Sequence, residues 1–178
     1  MEAPRQVLDA EAIARALRRM AVEIAERNGG AGQVALVGIR RGGVPLAARL
    51  QALLKELEGR AVPVGSVDIT LYRDDAATAL PNPLIGRSEV TFPVEAYTIV
   101  LVDDVLYTGR TVRAAMDALL DYGRPRAIQL AALVDRGHRE LPIAPDYVGR
   151  VLPTAPEERV EVRLVPDAPV DEVLVGRR

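Results

Sequence analysis

The sequence predicts an α/β domain with a mainly parallel central sheet flanked by helices. Three observations carry that expectation. The runs Val34 to Ile39, Thr98 to Val102 and Ala127 to Val134 are short, apolar and rich in branched residues, like strands buried on both faces. Segments with helical apolar spacing separate them. The stretch after each run is rich in glycine and charge, and ligands of parallel sheets bind where strands end and helices begin.

The elements follow in order. Asp9 is the expected cap of a helix running to about Asn28, with Ile13, Leu17, Met20 and Ile24 on one stripe and Gly29-Gly30 as its stop. The first buried strand ends at a basic turn, Arg40-Arg41-Gly42-Gly43. A second helix is expected from about Val44 to Glu58, striped by Leu46, Leu50, Leu53 and Leu57. Pro45 falls in its first turn, where a missing N–H is harmless. Gly65 to Tyr72 alternates Val67, Ile69 and Leu71 and reads as a half-exposed strand. Residues 73–96 hold Pro81, Pro83, Gly86 and Pro93 with little periodicity, so a flexible lid is expected there. Thr98 to Val102 is the strongest buried strand. A helix over about Thr111 to Tyr122 follows, marked by Val112, Met116, Leu119 and Leu120 and stopped by Gly123. After the strand Ala127 to Val134, the proline-rich remainder reads as loop with short strands such as Val160 to Val165. One domain over residues 1–178 is expected, without repeats or linkers.

Composition narrows the chemistry. The chain has 178 residues, 49% of them hydrophobic, so one sizeable core is expected without staples. It has no cysteine, which excludes disulfides, thiolate metal sites and a cysteine nucleophile. Its one histidine, His138, excludes a multi-histidine metal cage. No apolar run approaches the roughly 20 residues that span a bilayer, and no signal peptide opens the chain, so a cytoplasmic protein without membrane partners is expected. The formal net charge is −2, so nucleic acid would need a local basic patch.

The loop after the central strand carries the clearest chemistry. It reads Asp103-Asp104-Val105-Leu106-Tyr107-Thr108-Gly109-Arg110-Thr111. Exposed N–H groups where a loop turns into a helix, with two threonine hydroxyls, make a cradle sized for one phosphate. The two aspartates suit a ribose diol or a hydrated divalent cation. On spacing alone, a turn with a helix cap remains an equal reading.

The full string resembles the 5-phosphoribosyl-1-pyrophosphate (PRPP) motif of type I phosphoribosyltransferases. That resemblance implies the type I fold, with a lid over about 73–96 and a small hood over about 134–150. It implies that Asp103 through Thr111 bind PRPP, with Thr108, Gly109, Arg110 and Thr111 on the 5-phosphate and Asp103 and Asp104 facing the ribose. Arg40, Arg41 and Gly42 would hold the pyrophosphate, and Arg73 would reach the phosphates from the lid. Mg²⁺ would arrive with PRPP, with Asp103 and Asp104 as the nearby carboxylates. In the hypoxanthine-guanine branch the residue two before the motif glycine is an aspartate facing the purine. Here it is Tyr107, a poor base at neutral pH, which weakens a purine assignment.

Asp68 to Asp75, Val102 to Thr111 and Val134 to Ile143 closely resemble a third branch, and the likeness runs from Leu8-Asp9 to Tyr147-Val148-Gly149. Members of that branch attenuate the pyrimidine operon and are also uracil phosphoribosyltransferases. The resemblance implies uracil, UMP or UTP, and pyr leader mRNA as partners, and a homodimer or larger homo-oligomer. It places Val134, Asp135, Arg136 and His138 over the uracil. It puts Arg18, Arg139 and Arg150 at or beside the RNA; Arg15 and Arg19 share a helix face with Arg18. Two departures are visible. The pyrophosphate turn is Arg-Arg-Gly-Gly where Thr-Arg-Gly is expected, and Ala144-Pro145 stands where an RNA-contacting arginine is expected. The alternative is a non-regulatory salvage enzyme for uracil or a 6-oxopurine; an RNA-binding regulator that keeps the site only as a nucleotide sensor is a second.

Overall fold

The computed structural model describes residues 3–75 and 86–177. Its elements are β1 (Arg5–Leu8), α1 (Ala10–Arg27), β2 (Val34–Ile39), α2 (Gly43–Glu58), β3 (Val64–Val67), β4 (Thr98–Leu106), α3 (Arg110–Leu120), β5 (Ala127–Asp135), β6 (Tyr147–Val151), β7 (Glu158–Arg163) and β8 (Glu172–Arg177). Five strands form a parallel sheet in the order β3-β2-β4-β5-β6. Strand alternation divides the core in two. Val100 and Val102 of β4 pack with α1 and α2, while Ile99 and Leu101 face the opposite way, with α3. Among the described residues no helix is long and apolar enough to cross a membrane.

Local chemistry explains the first helix. The Asp9 carboxylate accepts the Ala12 N–H at 2.8 Å, and the stripe Ile13, Leu17, Met20 and Ile24 is buried as its spacing requires. The second helix departs from expectation. Its buried stripe is Leu46, Ala47, Leu50 and Leu54, while Leu53 is only partly buried and Leu57 is 49% exposed. The two stripes differ by a small rotation, and packing against β2 and β4 chose between them.

Four further differences matter for the site. β3 ends at Val67, not Tyr72, because Asp68 accepts the Thr70 N–H at 2.8 Å and turns the chain. β4 runs to Leu106, because β5 supplies partners as far as Leu106 opposite Asp135, so both aspartates lie inside the strand. Residues 76–85 of the expected lid lie outside the described residues. Its far end is no lid: Glu89 exchanges backbone hydrogen bonds with Ser66, and Val94 is fully buried.

The expected hood over 134–150 is not a separate unit. Those residues are the end of β5, its connection and β6, all part of the main sheet or its edge. A separate antiparallel sheet, β1-β8-β7, joins the two ends of the chain. Val160, Val173 and Val175 bury its inner face against the α1 and α2 side.

Candidate active site

The C-terminal ends of β2, β3 and β4 open onto three adjoining cavities. The first, about 410 Å³, is lined by Arg40, Arg41 and Arg73 with Asp68 and Thr70. β2 delivers Arg40 to it: the Arg40 N–H donates to the Val67 carbonyl at 3.0 Å, and the Arg40–Arg41 peptide is cis. The buried Arg40 Nε has no hydrogen-bond partner among the described residues. Its guanidinium lies 3.9 Å from the Glu89 carboxylate. Burial alone would raise the Asp68 carboxyl, but hydrogen bonds from Thr70 and Gly86 and the Arg40 charge hold it below its ordinary range. Three arginines and the Asp68 carboxylate thus line this cavity, with Glu89 beside Arg40.

The second cavity, about 320 Å³, shares Arg41 with the first and adds Gly42 and Asp104. Its roof is the stretch after β7, including Leu164 and Asp167, with Arg163 at the end of the strand. No residue of 134–150 lines this cavity. Arg163 and Asp167 were missed because nothing local marks them; only the small sheet carries them over Asp104. Gly42 is required by close approach: a Cβ there would lie 2.2 Å from the Asp104 carboxylate.

The two aspartates diverge, as neighbours on a strand must. Asp104 lines the cavity, and its carboxylate also accepts the Val105 N–H at 2.8 Å. Asp103 is 6% exposed and accepts the Asp104 N–H at 2.9 Å. Burial first, and then the neighbouring Asp104 charge, push the Asp103 carboxyl well above its usual range, which favours its protonated form. Both were expected at the ribose; only Asp104 lines the cavity.

The third cavity, about 280 Å³, lies at the start of α3, lined by Thr108, Arg110 and Thr111 opposite Arg73, Asp74 and Asp75. Gly109 has φ +92°, a left-handed conformation, and offers no capping side chain of its own, so the N–H groups of the first turn beyond Arg110 are open to a ligand. The Arg110 N–H donates to Thr108 Oγ1 at 3.3 Å. The Arg110 guanidinium instead points sideways, to Glu140 at 2.8 Å and Asp74 at 2.5 Å, and both carboxylates raise its affinity for its proton. Arg73 forms two bonds to Asp75, at 2.8 and 2.7 Å. The phosphate-loop residues thus come together with the near end of the expected lid.

The segment expected over the uracil is largely engaged with its own surroundings. Val134 is fully buried in β5. The Asp135 carboxylate accepts from the Gly137 N–H at 3.0 Å and Arg139 at 2.7 Å. Arg136 is buried and donates to Thr154 Oγ1 at 3.1 Å and the Ala155 carbonyl at 3.2 Å. His138 Nε2 lies 2.6 Å from the Thr154 carbonyl.

The five arginines expected at RNA divide. Arg139 is a brace, donating to the Tyr107 and Ile143 carbonyls as well as to Asp135. Arg19 ties α1 to the edge strand β6 through the Val148 and Gly149 carbonyls, at 2.9 and 2.6 Å. Arg15 pairs with Glu11 on the exposed helix face. Arg18 and Arg150 are exposed and enter none of the ion pairs among the described residues.

Comparison with known proteins agrees with this arrangement. The model of the phosphoribosyl transferase domain matches residues 5–165. The chain is 60% identical to the bifunctional protein PyrR of Pelotomaculum thermopropionicum, over 89% of this chain and 88% of that protein. It is 54% identical to the bifunctional protein PyrR of a Thermoanaerobacter species, over 100% of both. Among solved structures, the hypoxanthine phosphoribosyltransferase of Trypanosoma cruzi superimposes with a TM-score of 0.74, covering 98% of this chain and 97% of that one, at 18% identity. That last likeness concerns the fold. The chain belongs to the phosphoribosyltransferase family and, within it, to the group of bifunctional PyrR proteins.

Proposed function

We propose that this protein converts uracil and PRPP to UMP and pyrophosphate, and binds pyr leader mRNA in response to uridine nucleotides. The observation that carries the catalytic half is the three-arginine cavity, with its buried unpartnered Arg40 Nε, adjoining the Asp104 cavity and the open start of α3. A 5-phosphate seats on the N–H groups and hydroxyls of Thr108 to Thr111. Asp104 faces the ribose hydroxyls. The pyrophosphate seats among Arg40, Arg41 and Arg73, where the orphan donor gains a partner.

In the reaction uracil N1 bonds to ribose C1, the C1–O bond to pyrophosphate breaks, and the N1 proton is released. Positive charge grows on the ribose and negative charge on the departing pyrophosphate. Arg40 and Arg41 stabilise that negative charge in place, before any solvent reorganises. Arg73, leaving Asp75, adds a third cation as the near end of the lid closes.

No cluster of three or more His, Cys, Asp or Glu stands ready for a metal among the described residues. The donor set suits Mg²⁺ carried in by PRPP, with Asp104 as the protein carboxylate on that side. Bound there, Mg²⁺ would supply charge neutralisation for the pyrophosphate.

For the regulatory half, Arg15, Arg18 and Arg19 lie on the exposed face of α1, and Arg19 ties that helix to β6, the strand that carries Arg150. Of these, Arg18 and Arg150 are the uncommitted cations and bind RNA phosphates. Occupancy of the nucleotide site raises RNA affinity by linkage. A homodimer or larger homo-oligomer belongs to this reading, and a cytoplasmic setting suits its substrates.

The test is PRPP- and Mg²⁺-dependent nucleotide formation with uracil, hypoxanthine and guanine in parallel. UMP alone is expected. IMP or GMP in its place would transfer the assignment to purine salvage. Leader-RNA binding is then measured with and without UMP, and equal affinities would remove the regulatory half.

A further inference from the structure

Asp68 is out of place by charge. It lines one cavity with Arg40, Arg41 and Arg73, and a carboxylate among them repels any anion that seats there. Its contacts point to a different task. Just beyond β3 the chain leaves the sheet, and it returns beside β3 at Glu89, whose backbone exchanges hydrogen bonds with Ser66 at 2.9 and 2.8 Å. Asp68 stands at the neck between these two arms. Its carboxylate accepts the Thr70 N–H at 2.8 Å and the Thr70 hydroxyl on the outgoing arm, and the Gly86 N–H on the returning arm. Its own N–H donates to Ser88 Oγ at 2.8 Å. Gly86 comes so near that a Cβ there would lie 2.2 Å from the Asp68 carboxylate and 3.6 Å from Arg40 Cδ. Arg40 is thus packed against the neck. Its buried Nε has no hydrogen-bond partner among the described residues, and its guanidinium lies 3.9 Å from Glu89 on the returning arm.

We propose that Asp68 is a positioning residue: its carboxylate pins the two arms of this neck together and so holds the Arg40 guanidinium where the pyrophosphate departs. The proposal deepens the catalytic reading above and rests on it. The Arg40 backbone is fixed by its bond to the Val67 carbonyl, but its side chain rests on the neck. If the arms part, the guanidinium loses its contact with Gly86 and its carboxylate neighbours at once. A displaced cation stabilises departing charge poorly, because such stabilisation depends on groups already in place. Asp68 itself binds no part of PRPP in this reading, so removing it does not weaken PRPP binding.

The experiment measures the single-turnover rate of UMP formation, the PRPP KM and the melting temperature. It compares the wild type with Asp68→Ala, Asp68→Asn, Gly86→Ala and the double variant Asp68→Ala/Gly86→Ala. Asp68→Ala is expected to slow single turnover about 30-fold, while the PRPP KM stays level or falls about twofold. Asp68→Asn keeps one acceptor oxygen and recovers part of the rate. Gly86→Ala changes no charge, yet it slows single turnover about tenfold by driving the carboxylate off the returning arm. The double variant is no slower than Asp68→Ala, because Gly86 acts through that carboxylate. An Asp68→Ala protein with reduced melting temperature but a wild-type rate overturns the proposal, leaving Asp68 a part of the scaffold. So does a PRPP KM raised about tenfold at an unchanged rate, which makes Asp68 a binding group. A double variant whose loss is the product of the two single losses has the same consequence. If Asp68→Ala does not fold, Asp68→Asn and Gly86→Ala decide, and wild-type rates in both sink the positioning role. A wild type that makes no UMP strikes down the catalytic reading and the positioning role together; a wild type that makes UMP beside indifferent variants strikes down the positioning role alone.

Discussion

The turn after β2 and the turn after β4 both lead from a parallel strand into a helix, yet they hold charge differently. The first presents side chains, Arg40 and Arg41, on a corner whose Gly42 lets Asp104 approach. The second presents backbone N–H groups at the start of α3, with Thr108 and Thr111 beside them and Gly109 at φ +92°. Guanidiniums carry full, movable charge and suit a group whose charge grows during reaction. Backbone N–H groups carry partial, fixed charge and suit a group that must only be held. Under the proposed function, leaving-group chemistry belongs to the first turn and anchoring to the second.

Four measurements break or sharpen that contrast. Asp104→Asn removes the carboxylate that the β2 turn is shaped around, and kcat is expected to fall about 10³-fold with little change in thermal stability. Steady-state kinetics check it, and unchanged turnover removes Asp104 from the chemistry. Gly42→Ala leaves every charge in place but drives a methyl group into the Asp104 carboxylate. A loss of about 10²-fold in kcat is expected from that displacement alone. If kcat holds, the close approach is dispensable.

On the anchoring side, Gly109→Ala forces a left-handed residue and brings a Cβ within 3.3 Å of Ile143. About 1–2 kcal/mol of stability should be lost, and the PRPP KM should rise more than kcat falls. A fall in kcat with an unchanged PRPP KM would blur the two turns into one role.

The smallest effect lies away from both turns. Arg49 makes two bonds to the Asp171 carboxylate, at 2.5 and 2.9 Å, tying α2 to the segment before β8. Arg49 first, with the Val165 N–H as a further donor, lowers the Asp171 carboxyl against a modest opposing burial. A lowered folded value stabilises the protein above the unfolded value near ~3.9, and that contribution disappears as pH falls through the folded value. Asp171→Asn should therefore cost about 1 kcal/mol in urea unfolding at pH 7, and progressively less as pH falls through the lowered folded value. A pH-independent difference would assign the loss to packing.

Much of the frame was legible. Asp9 and the stripe Ile13, Leu17, Met20 and Ile24 fixed α1, because capping and helical spacing are local properties. Val34 to Ile39 matched its strand end for end, since a run buried on both faces has no competing periodicity. The phosphate loop was legible as a turn into a helix. What each aspartate faces was not legible. Their adjacency read as a pair, but continuing β4 to Leu106 sends their side chains to opposite faces. The partners of the arginines were hidden for a related reason. Arg19 and Arg139 look like surface cations by type, yet backbone carbonyls distant in sequence claim them.

By itself, then, the sequence determined the strand–helix alternation, the parallel sheet and the two glycine-bearing turns at its C-terminal edge. These rest on interactions within a few residues: caps, apolar period and glycine where the backbone demands it. Only the tertiary structure decided that the roof over Asp104 comes from Arg163 to Ala168, that Arg136 lies on Tyr107, and that α2 buries Leu54 and exposes Leu57. Each depends on elements far apart in the chain. The side chain's partner there is set by how the sheet stacks its neighbours, and no local pattern encodes that.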